Sequence, residues 1–177
     1  MVAAACVLGR DAPAGLDDSK KLSAKRRAVL EPLIKDSCQW ALGVADAAEI
    51  DRINIFAATM LAMTRAVAAL CATLDRAPDL VLIDGNFTPQ GRAQGWCWPA
   101  QAIIGGDGLE PCISAASILA KEHRDRVMQA AALDHPHYGW ERNAGYGTAE
   151  HLAALRLHGP TVLHRRSFAP VAQMLLI

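Results

Sequence analysis

The stretch Asp79-Leu80-Val81-Leu82-Ile83-Asp84-Gly85-Asn86 constrains the chain most. Four unbroken apolar residues, two of them β-branched, run into an aspartate and then a glycine. A short apolar run closed by a turn signal reads as a buried strand. Apolar residues on both faces suit a largely parallel sheet, and such sheets gather ligands at the carboxyl ends of their strands. Asp84 stands at that end, and Gly85 lets the backbone leave the sheet sharply. On this stretch alone, a functional carboxylate and a turn-initiating aspartate are equally good accounts.

The rest of the chain supplies a sheet and helices around that strand. Val2 to Leu8 reads as a strand, since no basic residue precedes it to make a signal peptide. Ser23 can cap a helix from about 24 to 35, in which Pro32 predicts a kink or an early end. The next strand spans 38–45. Asp46 then caps a helix from 47 to about 53, and a second helix runs from about 55 to 75. Met60, Met63, Val67 and Leu70 repeat along it at helical spacing, which marks a core stripe.

A fourth strand is expected over 100–106, closing in Gly105-Gly106-Asp107-Gly108. Asp107 is thus a second carboxylate leaving a strand into a glycine turn, and two such aspartates suggest a shared site. A helix opens at Ile113 and runs to about Ala132. Residues 134–147 read as irregular, and Thr148 caps a last helix to about His158, with Leu152 and Leu155 facing inward. No repeat, low-complexity tract or linker interrupts the 177 residues. One domain over 1–177 is expected, with about 134–177 a C-terminal helical and loop extension.

Composition excludes several classes. Apolar residues make up 52% of the chain and no unbroken apolar run reaches the ~18 residues of a membrane span, so no membrane partner is expected. Five cysteines without a Cys-x-x-Cys pair argue against a disulfide framework or a zinc site and for reduced thiols in the cytoplasm. Net charge is zero, but cations cluster at Lys20, Lys21, Lys25, Arg26 and Arg27, at Arg124 and Arg126, and at Arg165 and Arg166. Any one cluster is well explained as a solvated helix face. Three of them beside a carboxylate site fit phosphate binding next to metal-assisted cleavage. The six histidines form no ligand set. Ser114, Ser117 and Ser167 lack a nucleophile elbow, so packing and capping are their preferred roles.

Six ordered stretches resemble the bacterial ribonuclease HII family. They are Gly15-Leu16-Asp17-Asp18-Ser19-Lys20-Lys21-Leu22-Ser23, Glu49-Ile50-Asp51-Arg52-Ile53-Asn54-Ile55, Val81-Leu82-Ile83-Asp84-Gly85-Asn86, Ile113 through Lys121, Gly145-Tyr146-Gly147-Thr148 and His164-Arg165-Arg166-Ser167-Phe168. The resemblance implies an α/β, ribonuclease H-like mixed sheet flanked by helices, with a small C-terminal helical segment. It implies endonucleolytic hydrolysis of the RNA strand in RNA–DNA hybrids and at single ribonucleotides embedded in DNA. Dependence on Mn²⁺ or Mg²⁺, a monomer, and a place in ribonucleotide excision repair are implied with it.

Of the family's four carboxylates, Asp84 and Asp107 carry over as catalytic metal ligands. The other two form an adjacent Asp-Glu pair on a first strand, in a motif ending Gly-Arg-Gly, and they have no counterpart in this chain. The expectation is therefore a chain lacking the central first strand, with a gap between the 2–8 and 81–84 strands and impaired activity. The alternative is a catalytically inactive fragment with residual hybrid-duplex binding. A metal-dependent phosphatase would share strand-end aspartates but would leave the Gly145–Thr148 and His164–Phe168 matches without a role. Tyr146 is implied to stack at the RNA–DNA junction, although by itself it reads as a loop tyrosine sealing the core edge. Lys20, Lys21, Arg165 and Arg166 are implied phosphate contacts, with loop capping an equally simple role for the two lysines. Asn143-Ala144 replaces the family's His-Lys before Gly-Tyr, which removes one implied backbone contact.

Overall fold

The structure is a computed structural model of the chain and describes residues 1–174. In order, the elements are β1 (Val2–Val7), α1 (Ala24–Ser37), β2 (Gln39–Val44), α2 (Ala47–Cys71), β3 (Val81–Asp84) and β4 (Ala100–Ile103). They continue with α3 (Gly106–Leu109), α4 (Pro111–Asp134), a 3-10 turn (Pro136–Tyr138), α5 (Trp140–Asn143), α6 (Ala149–His158) and α7 (Ala169–Met174).

The strands make two separate ladders rather than one sheet. β1 and β2 pair antiparallel from Val2 opposite Val44 to Val7 opposite Gln39, whereas β3 and β4 pair parallel from Val81 opposite Ala100 to Asp84 opposite Ile103. The largely parallel sheet expected from the β3 run is thus only half right. β3 is also less buried than its apolar run predicts: Ile83 is buried, but Val81 and Leu82 are half-buried. The reason is a cavity of about 530 Å³ between the ladders. Residues 1–8 line one side of it and residues 80–84 the other; Met63, Val67 and Leu70 of α2 and Ile113, Ala116, Ser117 and Ala120 of α4 close it above and below. The gap expected between the two strands is therefore present, and three of the four residues of the Met60–Leu70 stripe, Met63, Val67 and Leu70, line it.

Local chemistry explains most helix boundaries. The Ser23 side chain accepts from Arg26 N at 3.2 Å, and the Thr148 side chain accepts from His151 N at 3.3 Å. Asp46 and Glu49 form a reciprocal capping box at the start of α2. Pro32 does not end α1, which continues to Ser37; Leu30 and Ile34, both fully buried, hold the turns on either side of it. The two helices expected over 47–75 are one element broken at Asn54, whose φ of 67° and ψ of 167° are not helical. The Asn54 side chain accepts from Ala57 N at 3.0 Å and so caps the second half. By length and composition α2 could cross a membrane. Here its Ala58, Ala62, Ala66 and Leu70 are instead buried, as they are in a core helix of a folded domain.

β4 is shorter than expected because Gly105 takes a left-handed φ of 68° and the chain turns into α3. Asp107 accordingly sits in a short helix beyond the strand, not at its end. Residues 134–147 contain two short helical turns where none was expected. Beyond α4, Tyr138, Trp140, Ala154, Leu155 and Val171 form a separate cluster with Ala131 and Ala132. His151 and His164 are buried in it, their rings 5.3 Å apart. These two histidines are packed in the core of this cluster.

Candidate active site

Two turns bring the candidate carboxylates together. Asp84 ends β3 and is exposed at the mouth of the cavity, while Asp107 is 9% exposed in α3. Parallel pairing of β3 with β4 aligns their ends, and Gly85 N donates to Ile103 O at 2.9 Å. The Asp107 backbone N–H then points at Asp84 Oδ1, 3.4 Å away. Ser114 Oγ donates to the Asp107 carbonyl at 2.7 Å and pins α3 onto α4. Ser114 thus has the packing role expected of it. Gly106 permits the close approach, since a Cβ there would meet Ile113 Cδ1 at 2.7 Å.

A third carboxylate was not singled out from the sequence. The loop before α1 lays Asp18 beside Asp107, and its carboxyl is held below the ordinary range. The first cause is the Lys20 backbone N–H, 2.9 Å from Asp18 Oδ1; the Lys20 ammonium and the Asp107 side chain add to it. Lys20 Nζ lies 3.2 Å from Asp107 Oδ2 and 3.8 Å from Asp18 Oδ1. Its pKa is raised, chiefly by the hydrogen bond to Asp107 and further by the charges of Asp107, Asp18 and Asp84. Lys20 is therefore the counter-ion of this carboxylate group, 76% exposed and free on its outer side. Lys21 Nζ is 3.7 Å from Asp17 Oδ1, and the pair lies against Gly108, the residue after Asp107. The family match of this loop was the available signal for Asp18; a loop Asp-Asp alone carries none.

The remaining candidates lie on the C-terminal side. Tyr146 is 62% exposed, so it does not seal a core edge. Its loop is shaped by Asn143, whose side chain donates to Tyr138 O at 2.8 Å and accepts from Gly145 N at 2.9 Å. The residue that departs from the family pattern is thus a buried strut of the Tyr146 loop. Arg165 and Arg166 are held against α2. The Asp51 carboxylate accepts from Arg166 N at 2.8 Å, from Ser167 N at 2.8 Å and from Ser167 Oγ at 2.6 Å. This explains why the Glu49–Ile55 and His164–Phe168 stretches belong together.

Hard carboxylate oxygens are the donors that Mg²⁺ and Mn²⁺ prefer. Asp84 and Asp107, with Asp18 alongside, fit such an ion, although among the described residues no group of three His, Cys, Asp or Glu side chains is arranged to hold one. A bound divalent ion supplies an activated water and offsets charge on a phosphate. The chain's own residues anchor the carboxylates, and Lys20 holds a cation at their rim where a phosphate oxygen would approach.

Asp84 at the end of β3 and Asp107 in the turn of helix after β4, with Lys20 against Asp107, form the candidate acidic site of a ribonuclease H-like fold. Solved structures share that fold. The ribonuclease H2 from Pyrococcus horikoshii OT3 matches 98% of this chain and 97% of its own at a TM-score of 0.69 and 17% identity. Bst-RNase HIII in complex with Mn²⁺ matches 99% of this chain and 64% of its own at a TM-score of 0.74 and 18% identity. The family model described as Ribonuclease HII matches residues 1–171. The Ribonuclease HII of Novosphingobium aromaticivorans is 70% identical over 179 aligned residues, spanning 100% of this chain and 91% of that protein. The chain belongs to the ribonuclease HII family of endoribonucleases, whose members act on RNA–DNA hybrids.

Proposed function

We propose that this chain serves hydrolysis of the RNA strand in RNA–DNA hybrids and at single ribonucleotides embedded in DNA, with Asp84 and Asp107 as the metal-holding carboxylates. The juxtaposition of Asp107 N with Asp84 Oδ1, with Lys20 Nζ against Asp107, is the observation that carries this reading. Lys20, Lys21, Arg165 and Arg166 contact phosphates, and Tyr146 stacks at the junction, where its exposure leaves the ring available. Residues 134–177 act as the flank of the single domain that receives the duplex. The ion is Mn²⁺ or Mg²⁺, the working form is a monomer, and the five free thiols suit the cytoplasm.

Full activity in this reading requires a further strand between β1 and β3 that carries the Asp-Glu pair and Gly-Arg-Gly. The cavity between the ladders supports this, since it presents one edge of each strand without a partner. Two carboxylates oppose too little charge to hold two ions about 4 Å apart. The chain alone is then slow, and the alternative of hybrid binding without catalysis is favoured by the same shortage of ligands. The test is cleavage of a DNA duplex with one embedded ribonucleotide in Mn²⁺, comparing this chain, its Asp84→Asn variant and a chain extended by such a strand. Slow cutting by the short chain, none by Asp84→Asn and fast cutting by the extended chain is expected. Equal rates for short and extended chains would overturn the carboxylate argument.

A further inference from the structure

Arg124 is a cation without a counter-charge. Helix α4 carries three basic residues in the middle of its length. Lys121 pairs with Asp125 at 2.6 Å and Arg126 with Glu31 at 2.6 Å. Nearby, Arg27 from α1 takes Glu122 at 2.7 Å and also approaches Asp125. Among the described residues Arg124 has no carboxylate partner, and its Nη1 is buried without any hydrogen-bond acceptor. A buried donor left unmade costs free energy, so an orphan on a guanidinium invites an acceptor from outside the chain.

Its surroundings say which acceptor. The Arg124 guanidinium lies over the ring of Tyr146, 5.2 Å from the centroid. The loop can come so near α4 because Gly145, at φ 76°, has no Cβ; one would sit 3.0 Å from Met128 Cε and 3.7 Å from Arg124 Nη2. The Arg165 guanidinium likewise stands over Phe168 at 5.2 Å, and the Phe168 ring lies 3.9 Å from where a Cβ would sit on Gly147, the residue after Tyr146. Arg124 and Arg165 thus each stand over an aromatic ring, on Tyr146 and Phe168 of neighbouring loops. Positive charge beside a stacking platform is the pattern for a nucleic-acid backbone.

We propose that Arg124 binds a phosphodiester oxygen of the strand on which Tyr146 stacks. In the free protein the Tyr146 ring covers the guanidinium. When the ring moves onto the nucleic acid, the guanidinium is uncovered and its orphan N–H donates to the phosphate. Arg124 is then a binding residue coupled to the tyrosine, and the two act as one unit that links stacking to backbone grip. This inference rests on the hybrid-processing reading above and adds to it a residue outside the carboxylate group and outside the four cations assigned there.

The experiment measures equilibrium binding of the full chain to a fluorescent DNA duplex with one embedded ribonucleotide. Ca²⁺ replaces Mn²⁺ to suppress cleavage, and salt is varied from about 50 to 200 mM. Arg124→Gln is expected to weaken binding about tenfold and to reduce the slope of log K against log salt by about one. Arg124→Lys keeps the slope. An Arg124→Gln chain with an unchanged melting temperature and the wild-type slope overturns the proposal. A second arm keeps the wild-type protein and replaces one phosphodiester at a time by a neutral methylphosphonate. One sensitive linkage beside the ribonucleotide is expected, and its loss should not add to that of Arg124→Gln. No sensitive linkage there overturns the proposal whether or not Arg124→Gln folds. A wild-type chain that binds no ribonucleotide-containing duplex fails the functional reading itself, whereas binding that is indifferent to Arg124 fails this inference alone.

Discussion

Filling the cavity between β1 and β3 should stabilise the protein by an amount the structure allows to be worked out. The perturbation is an N-terminal extension that reverses ahead of Met1 and lays about six residues of strand between the two edges, matching the six residues of β1. Ordering six residues costs about 6–12 kcal/mol in backbone entropy. Both faces of the slot are apolar, with Met63, Val67 and Leu70 on one side and Ile113, Ala116 and Ala120 on the other. Alternate side chains of the new strand are therefore buried in both directions, at about 1.5–3 kcal/mol each, roughly 9–18 kcal/mol for six. Ladder hydrogen bonds to two edges add about 1 kcal/mol apiece. Taken at mid-range, burial less entropy leaves about 5 kcal/mol before the ladder bonds are added, which for a chain of this size raises Tm by at least roughly 10–20 °C. Differential scanning calorimetry of the two chains checks it. Covering two bare edges should also reduce concentration-dependent aggregation. A Tm within about 3 °C of the short chain would mean that the strand does not enter the slot.

Three further outcomes are expected. Asp84→Asn should weaken Mn²⁺ binding at least about tenfold in calorimetric titration, since it removes one anionic ligand from the group of Asp84, Asp107 and Asp18; equal affinity would remove Asp84 from the site. Lys20→Met should tighten Mn²⁺ binding several-fold, because the ammonium 3.2 Å from Asp107 Oδ2 competes for the same oxygens; exposure of the lysine limits the gain to about 1 kcal/mol, and weaker binding would show that Lys20 organises the carboxylates instead. Stability should fall on acidification through the histidine range. Burial first, then the charges of His151 and His135, lower His164 to about 4, and its Nδ1 accepts from Thr161 N at 2.9 Å. The unfolded chain thus binds the proton first, so stability is whole above about pH 6.5 and is lost as pH falls toward 4, by no more than about 3 kcal/mol. His164→Gln should flatten that part of the Tm-against-pH curve, and an unflattened curve would place the titration elsewhere.

Much of the fold was legible because its signals are local. The caps at Ser23, Asp46 and Thr148 need only a side chain and a backbone N–H three residues on. Asn54 was legible only as a joint between two helical patterns; its left-handed backbone is what lets one helix change direction. What was misread depends on partners distant in the chain. The apolar run of β3 is compatible with burial on both faces, and nothing within it reports that one edge opens on a cavity. Pro32 is a breaker by local rules, yet α1 is held through it by Leu30 and Ile34 packing against Ile118 and Leu119 of α4, 80 or more positions away.

The site divides the same way. Asp84 and Asp107 each announce themselves beside a glycine, and parallel pairing of β3 with β4 does the rest. Asp18 and Lys20 reach the site across the fold, 89 and 87 positions from Asp107, and no spacing rule could have joined them. Their arrival changes the electrostatics of the pair. Lys20 Nζ lies 3.2 Å from Asp107 Oδ2, so a carboxyl at 9% exposure keeps a cationic hydrogen-bond partner in place of the water it has lost. The lysine thus offsets the desolvation of that carboxyl, and at 76% exposure it stands at the rim of the acidic group. If Asp84 and Asp107 held a divalent ion, Lys20 would lose its hold on Asp107 and, being 76% exposed, would be left free for a phosphate, which is what the proposed reaction asks of it.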